Sequence, residues 1–219
     1  MLLRFGLVFW FDCLVNCLYA NYTFHLYSVA RYLPPVDLTM ELKGKTSKMA
    51  ALFLYAAIAQ GAIAAVITFL GGFGDQIGIL QVSASRVIAG GEAGTWFTVG
   101  YLTYLIVGVL ATAVTSLFYF FIETVQGKVY KGIAKALSWI HLVLGNVGVA
   151  GAAILAMVGG YLGGAAMQPK NFGGMGWSTG QVHVGILQYY SNPIAVFLGL
   201  GLIGFFCGGI GYLIVLRSK

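Results

Sequence analysis

Four apolar runs constrain this chain more than any other feature of its sequence. Each holds about 20 residues with almost no charge, and they lie at about 49–72, 96–123, 137–163 and 192–216. A helix satisfies its own backbone hydrogen bonds in lipid, and about 20 residues cross the hydrocarbon layer. The sequence therefore predicts four transmembrane helices in these runs.

A fifth span is predicted at about 5–33. It begins "FGLVFWFDCLVNCLYA", continues through "NYTFHLYSVARYL" and ends at Pro34 and Pro35, because proline cannot continue the helical hydrogen-bond ladder. The run extends well past the short apolar core of a signal peptide, so we interpret it as a membrane helix. The predicted fold class is all-α: a polytopic membrane protein with five transmembrane helices in a single membrane domain over 1–219.

The composition excludes several other classes of protein. Charged residues make up 8% of the chain, whereas a soluble domain carries about 25%. The net charge of +6 does not indicate nucleic-acid binding, because the basic residues lie in short loops between the spans. The three cysteines form no C-x-x-C pair, so neither a zinc site nor covalent haem attachment is predicted.

The basic residues also predict an orientation. Cytoplasmic loops of membrane proteins are enriched in lysine and arginine. With the C-terminus in the cytoplasm and the N-terminus outside, three basic residues are external: Arg4, Arg86 and Lys170. The other nine are then cytoplasmic: Arg31, Lys43, Lys45, Lys48, Lys128, Lys131, Lys135, Arg217 and Lys219. The expected location is the cell membrane, crossed several times.

Polar side chains inside the first span are candidate site residues, because such groups are costly in lipid. Asp12, Asn16 and Tyr19 fall on one stripe of that helix, and we expect the stripe to face another subunit or an internal water cavity. His25 and His141 are both expected towards the cytoplasmic side. They are the candidate ligands if a haem is bound.

Small residues predict close helix packing elsewhere, within this chain or against others. Gly160 and Gly164 are four residues apart, as are Gly204 and Gly208, which is the small-xxx-small spacing of tight membrane helix contacts. Asn146 lies among glycines in "LGNVGVAG" and could form a hydrogen bond across such a crossing.

Three stretches together suggest a family. In chain order they are "FLYAAIAQGAIAAVITFLGG", "TVGYLTYLIVGVLATAVTSLFYFFIETVQGKVYKG" and "LSWIHLVLGNVGVAGA". They resemble the closing helices of the haem–copper oxidase catalytic subunit, over about 49–216. Gly108 follows Tyr104 at the family's distance, and Trp139 to His141 stand at the opening of the next helix. The resemblance implies a membrane fold of respiratory type.

The same alignment places other residues where the family has its metal ligands. The two haem-binding histidines fall on Tyr101 and Thr103, and the tyrosine after them falls on Tyr104. Threonine cannot replace imidazole as a haem ligand, and tyrosine does so in few proteins. The resemblance therefore implies a chain without the family's metal centre, and we expect no cofactor in this chain.

We interpret the sequence as a non-catalytic subunit of a respiratory, terminal oxidase-like complex, held among other membrane subunits and lipid. The complex as a whole could hold haem and quinone. One alternative is a membrane-anchor b-type cytochrome or quinone-site subunit. A second is a small transporter or channel, against which we count the expected lack of helix-breaking prolines and of paired charges inside the spans.

Overall fold

The computed structural model describes residues 47–218, and this range is helical with no β-strand. Four long helices and one short helix follow in order: α1 Lys48–Phe73, α2 Ala84–Ala89, α3 Ala93–Val125, α4 Gly132–Met167 and α5 Thr179–Arg217. Helices α1, α3, α4 and α5 are long and apolar enough to cross a membrane. The four predicted apolar runs are thus confirmed as helices, whereas the predicted span 5–33 lies outside the described residues.

The helices extend beyond the apolar runs that predicted them. Helix α5 begins at Thr179 rather than near 192, because Ser178 and Gln181 form a capping box that starts a helix in polar sequence. Helix α4 begins at Gly132 rather than near 137. Hydropathy marks the part of a helix suited to lipid, so it misses turns that continue into the polar layer.

The expected lack of helix-breaking prolines does not hold at Pro193. The predicted span begins at about 192, which would put this proline in the first helical turn, where proline is tolerated. Because α5 starts fourteen residues earlier, at Thr179 (193 − 179 = 14), Pro193 lies inside the helix. Proline has no N–H to donate at that position, so α5 carries an interruption in its hydrogen-bond ladder.

The long helices contain wide π-helical turns, which often occur at functional sites. Helix α3 has them at Tyr104–Leu110 and at Phe121–Val125. Helix α4 has one at His141–Gly145, and α5 has one at His183–Leu187. Two of these turns begin at residues singled out by the sequence, Tyr104 and His141.

The ends of the bundle are distinguished by their contacts. At the lysine end, Ser47 donates a hydrogen bond to Glu123, and the Lys128 ammonium donates to the carbonyls of Leu216 and Ser218 at 2.5 and 2.8 Å. These contacts join the start of α1, the end of α3 and the end of α5. We call this part the lysine end because Lys48, Lys128, Lys131 and Lys135 lie near it.

The opposite end carries the two longer connections, and we call it the loop end. The Tyr161 hydroxyl donates to the Val82 carbonyl at 2.8 Å, and Thr179 donates to Glu92 at 2.6 Å. The Arg86 guanidinium lies 3.9 Å from the centre of the Phe172 ring. These contacts tie residues 82–92 to the last third of α4, to the connection after it and to the start of α5.

The predicted small-residue faces make close contacts inside the chain. A Cβ at Gly160 would overlap the backbone of Phe97 in α3, and a Cβ at Gly204 would overlap the backbone of Gly145 in α4. Gly148 and Gly201 meet in the same manner. Close backbone approach of this kind stabilises helix contacts in lipid, where no hydrophobic force drives helices together.

Candidate functional site

A polar network joins three of the long helices in the interior. The Gln60 amide nitrogen of α1 donates to the Asn146 side-chain oxygen of α4 at 2.5 Å. The Thr112 hydroxyl of α3 donates to the same oxygen at 3.1 Å. Asn146 itself donates to the Leu142 carbonyl at 2.7 Å, which fixes its amide. We call Gln60, Thr112 and Asn146 the polar network.

The other atom of the Gln60 amide points towards α3. Its Oε1 is buried and has no hydrogen-bond partner among residues 47–218. A Cβ at Gly108 would lie 2.7 Å from this oxygen and 3.4 Å from the Tyr104 ring, so glycine leaves space that both side chains use. Tyr104 is fully buried, and its hydroxyl also lacks a partner within the described range.

A second group of side chains surrounds His141 nearer the lysine end. Phe53 stacks on Tyr119 with the ring centres 4.9 Å apart, and the His141 ring is 4.9 Å from Phe53. Phe205, Tyr130 and Tyr212 complete the group. We call these six residues the aromatic–histidine cluster. Stacked and tilted rings at such distances add to the stability gained from burial.

His141 is held tightly within this cluster. Its side chain is 4% exposed, and its Nδ1 lies 3.3 Å from the Tyr119 hydroxyl. A Cβ at Gly208 would overlap the imidazole ring, so this glycine provides the space that the ring occupies. The imidazole is therefore positioned by one hydrogen bond, by aromatic packing and by a glycine of α5.

The polar side chains of α3 connect the polar network with the aromatic–histidine cluster. Tyr104, Thr112, Ser116, Tyr119 and Glu123 follow one another at intervals of eight, four, three and four residues. Residues four apart in an α-helix drift by about 40° round the axis. The wider π-helical turn over Tyr104–Leu110 offsets part of that drift. One face of α3 consequently carries polar groups along most of its length.

The lysine end of this face carries acidic and phenolic groups. Glu123 is half-buried and accepts the hydrogen bond of Ser47, whose hydroxyl also caps α1 by accepting from the Ala50 N–H at 3.1 Å. Burial, with Tyr212 and Glu123 nearby, raises the pKa of the Tyr130 hydroxyl above its ordinary value. Tyr130 therefore keeps its proton and remains a donor.

The three residues aligned with the oxidase family's metal-ligand segment do not form one site. They are Tyr101, Thr103 and Tyr104. The Tyr101 hydroxyl forms a hydrogen bond with Thr68 at 2.7 Å at the edge of the bundle, while Tyr104 lies in the core. Thr103 is half-buried. Asn146 and His141 are both interior, in the polar network and the aromatic–histidine cluster respectively. Asp12, Asn16, Tyr19 and His25 lie outside the described residues.

Four interior residues were missed by the sequence reasoning: Gln60, Thr112, Ser116 and Tyr119. Gln60 is a lone amide in the apolar run 49–72, which is itself a signal of a buried polar partner. The spacing from Tyr104 to Thr112, Ser116 and Tyr119 places them on one helix face, and this pattern could have been read before the structure.

Over residues 47–218, the fold and the site together define a class: an all-helical bundle with four helices of membrane-crossing length and a polar interior. Within residues 47–218, no group of three or more His, Cys, Asp or Glu side chains is placed to hold a metal ion. Comparisons with protein-family models, curated proteins and solved structures found no match to this chain. The functional assignment therefore rests on its own residues and geometry.

Proposed function

We propose that this chain is a non-catalytic, multi-pass subunit of a respiratory, terminal oxidase-like complex in the cell membrane. One observation carries the proposal. Two segments that resemble the oxidase family, the aromatic end of α3 and the opening of α4, meet in the interior. Tyr119 from the first and His141 from the second form a hydrogen bond within the aromatic–histidine cluster.

The positions aligned with the family's haem ligands support a non-catalytic role. The Tyr101 hydroxyl is hydrogen-bonded to Thr68 at the edge of the bundle, and Thr103 is half-buried. Threonine cannot serve as a haem ligand, and the Tyr101 hydroxyl already has a partner, so these two positions do not supply the family's ligands. The redox chemistry would then belong to other membrane subunits, with haem and quinone bound there.

Partner subunits would contact the outward faces of the long helices. The glycine faces of α4 and α5 are occupied inside the chain, so they are not free for this purpose. Helix α5 has large apolar side chains pointing outwards, among them Leu202 and Phe206 at 68% and 72% exposed. These faces would be shared between lipid and the neighbouring subunits.

The proposed orientation has the lysine end in the cytoplasm, the N-terminus outside and the C-terminus in the cytoplasm, from the distribution of basic residues. Single cysteines at two exposed positions, Asn171→Cys and Lys131→Cys, test it in a background without the native cysteines. An impermeant maleimide applied to intact cells should label Asn171→Cys and leave Lys131→Cys unlabelled. The reverse pattern would show that the bundle is inverted.

The subunit role is tested by purification from native membranes. A tagged chain, solubilised in mild detergent, should migrate on native gels with oxygen-reducing activity and with the haem spectrum of the complex. The isolated chain should show no reduced-minus-oxidised haem difference. A Soret band in the isolated chain that disappears in His141→Leu would instead identify the membrane-anchor cytochrome.

A second candidate is a small transporter, and Pro193 favours it. The expected lack of helix-breaking prolines counted against transport, but this proline lies inside α5 and follows the π-helical turn His183–Leu187 by six residues (193 − 187 = 6). Interrupted helices are common at transporter binding sites. A stable monomer that purifies without a partner would favour this candidate over the respiratory subunit.

A further inference from the structure

A line of polar groups follows the polar face of α3, and several buried polar atoms on or beside this face have no hydrogen-bond partner in the described part of the chain. Within residues 47–218 they include Gln60 Oε1 and the hydroxyls of Tyr104, Thr124 and Tyr130. The side chains of Gln60, Tyr104 and Tyr130 are 6%, 0% and 5% exposed. Each such group is destabilising if it stays unpaired, and buried polar groups in proteins are almost always paired, often with ordered water.

The remaining polar groups fill the gaps between these atoms. Starting from the lysine end, the line passes Glu123, the Tyr119–His141 pair, Ser116 and the polar network before it reaches Tyr104. From Glu123 to Tyr104 there are 19 residues (123 − 104 = 19), or about 28 Å at 1.5 Å per residue. That length is nearly the thickness of a hydrocarbon layer.

The two ends of the line differ. At the lysine end, an open cavity of about 540 Å³ is lined by Lys128, Lys131, Ala134 and Val215, among others. Ala134 and Val215 also pack against Tyr119 and Tyr130, so this cavity adjoins the aromatic–histidine cluster. Beyond Tyr104, the core consists of Ala64, Ala153 and Met157, which offer no side-chain hydrogen bond.

We infer that the interior forms a hydrated half-channel, which opens at the lysine end and stops at Tyr104. Its ligand is water, bound by the unpartnered oxygens of Gln60, Tyr104, Thr124 and Tyr130 and continuous with the cavity beside Lys128. The half-channel gives one face of the membrane access to Tyr104, about 28 Å along α3 from Glu123. It follows from the geometry and does not depend on the respiratory assignment.

Silver-ion accessibility tests the inference on the full chain in sealed vesicles of each orientation. The native cysteines are first replaced: Cys13→Ala, Cys17→Ala and Cys207→Ala. Ser116→Cys is the main probe, since it changes one atom on the polar face of α3. Val114→Cys is the matched control on the same helix, where the native side chain is 39% exposed on the outer face. Ala153→Cys probes the apolar core beyond Tyr104.

Silver applied to the lysine-end face should block Ser116→Cys at least about tenfold faster than Val114→Cys, because the hydrocarbon layer holds no water for the ion. Ala153→Cys should stay unreacted, and silver at the loop-end face should leave all three cysteines free. Blocking is measured as lost maleimide labelling after denaturation. Thr112→Cys, deeper in the line, should react from the same face.

Three results would overturn the half-channel. Equal rates for Ser116→Cys and Val114→Cys would show that the interior is dry. Rapid reaction of Ala153→Cys, or reaction of Ser116→Cys from both faces, would show a path through the whole bundle. If Thr112→Cys does not fold, as judged by its elution in detergent, the Ser116→Cys comparison alone decides between these results.

Discussion

The two halves of the bundle bury their helices in different ways. In the loop-end half, helix backbones approach each other closely at glycines. A Cβ added at Gly160 would overlap the Phe97 backbone, and a Cβ added at Gly164 would lie 3.3 Å from the Cα of Gly94. In the lysine-end half, the helices are joined by the aromatic–histidine cluster, by the hydrogen bond that Glu123 accepts and by those that Lys128 donates.

The difference shows that one apolar chain can use two kinds of helix contact. Glycine contacts stabilise through close packing and leave no room for side chains or water. Polar and aromatic contacts keep groups in the interior that hydrogen-bond and can change partners. The helix pair α4–α5 combines both, since Gly204 meets Gly145 one turn from the place where Gly208 meets His141.

The largest loss of stability is expected where a new side chain would force apart two helix backbones that are in contact. In Gly204→Leu the new Cβ would overlap the Gly145 backbone, which cannot move without separating α4 from α5. We expect a loss of about 3 kcal/mol in unfolding free energy. Gly209→Leu is the matched control, because a Cβ there meets nothing within 4 Å. Unfolding followed by tryptophan fluorescence in detergent gives both values. Equal losses would contradict a close backbone contact between Gly204 and Gly145.

The polar network should contribute less to the unfolding free energy than the contact between Gly204 and Gly145. Gln60→Leu removes the donor to Asn146, and hydrogen bonds between membrane helices contribute about 0.6–1.7 kcal/mol. A double-mutant cycle with Asn146→Leu should show coupling between the two residues. The same cycle with Tyr101→Phe, a residue outside the network, should be additive. If Gln60 couples equally to Tyr101 and Asn146, the network is not a separate unit.

A smaller change tests the aromatic–histidine cluster. Tyr119→Phe keeps the ring stacked on Phe53 but removes the hydroxyl that lies 3.3 Å from His141 Nδ1. We expect a loss of about 0.5–1 kcal/mol in unfolding free energy. Tyr189→Phe, at a position 68% exposed, should be neutral. A neutral Tyr119→Phe would mean that the hydroxyl does not position the imidazole.

The smallest effects on stability are expected at Tyr101 and Thr103, the positions aligned with the family's haem ligands. Tyr101→Phe loses one hydrogen bond to Thr68 at the edge of the bundle, and such surface changes usually stay within about 0.5 kcal/mol. Thr103→Val should be similar. Neither change should alter the haem absorbance of the purified complex. Loss of a Soret band in Tyr101→Phe, with Thr103→Val unchanged, would show that the tyrosine is an iron ligand.

The sequence by itself determined the number and approximate place of the four described helices, because a lipid layer requires long apolar runs whatever their neighbours. It also identified the glycine faces and the polar character of Asn146. It could not set the helix ends: the capping box at Ser178 lies in polar sequence, and it moves Pro193 into the interior of α5.

The tertiary structure alone decided which polar groups meet. Gln60, Thr112 and Asn146 are separated by at least 34 residues along the chain, and Tyr119 and His141 by 22. Their contacts depend on the relative rotation and depth of three helices. The close glycine contacts between helices and the π-helical turns set that rotation and depth. Hydropathy is nearly the same on all sides of such helices, so it does not fix that rotation. Packing does, because glycine permits backbone contact on one face of each helix.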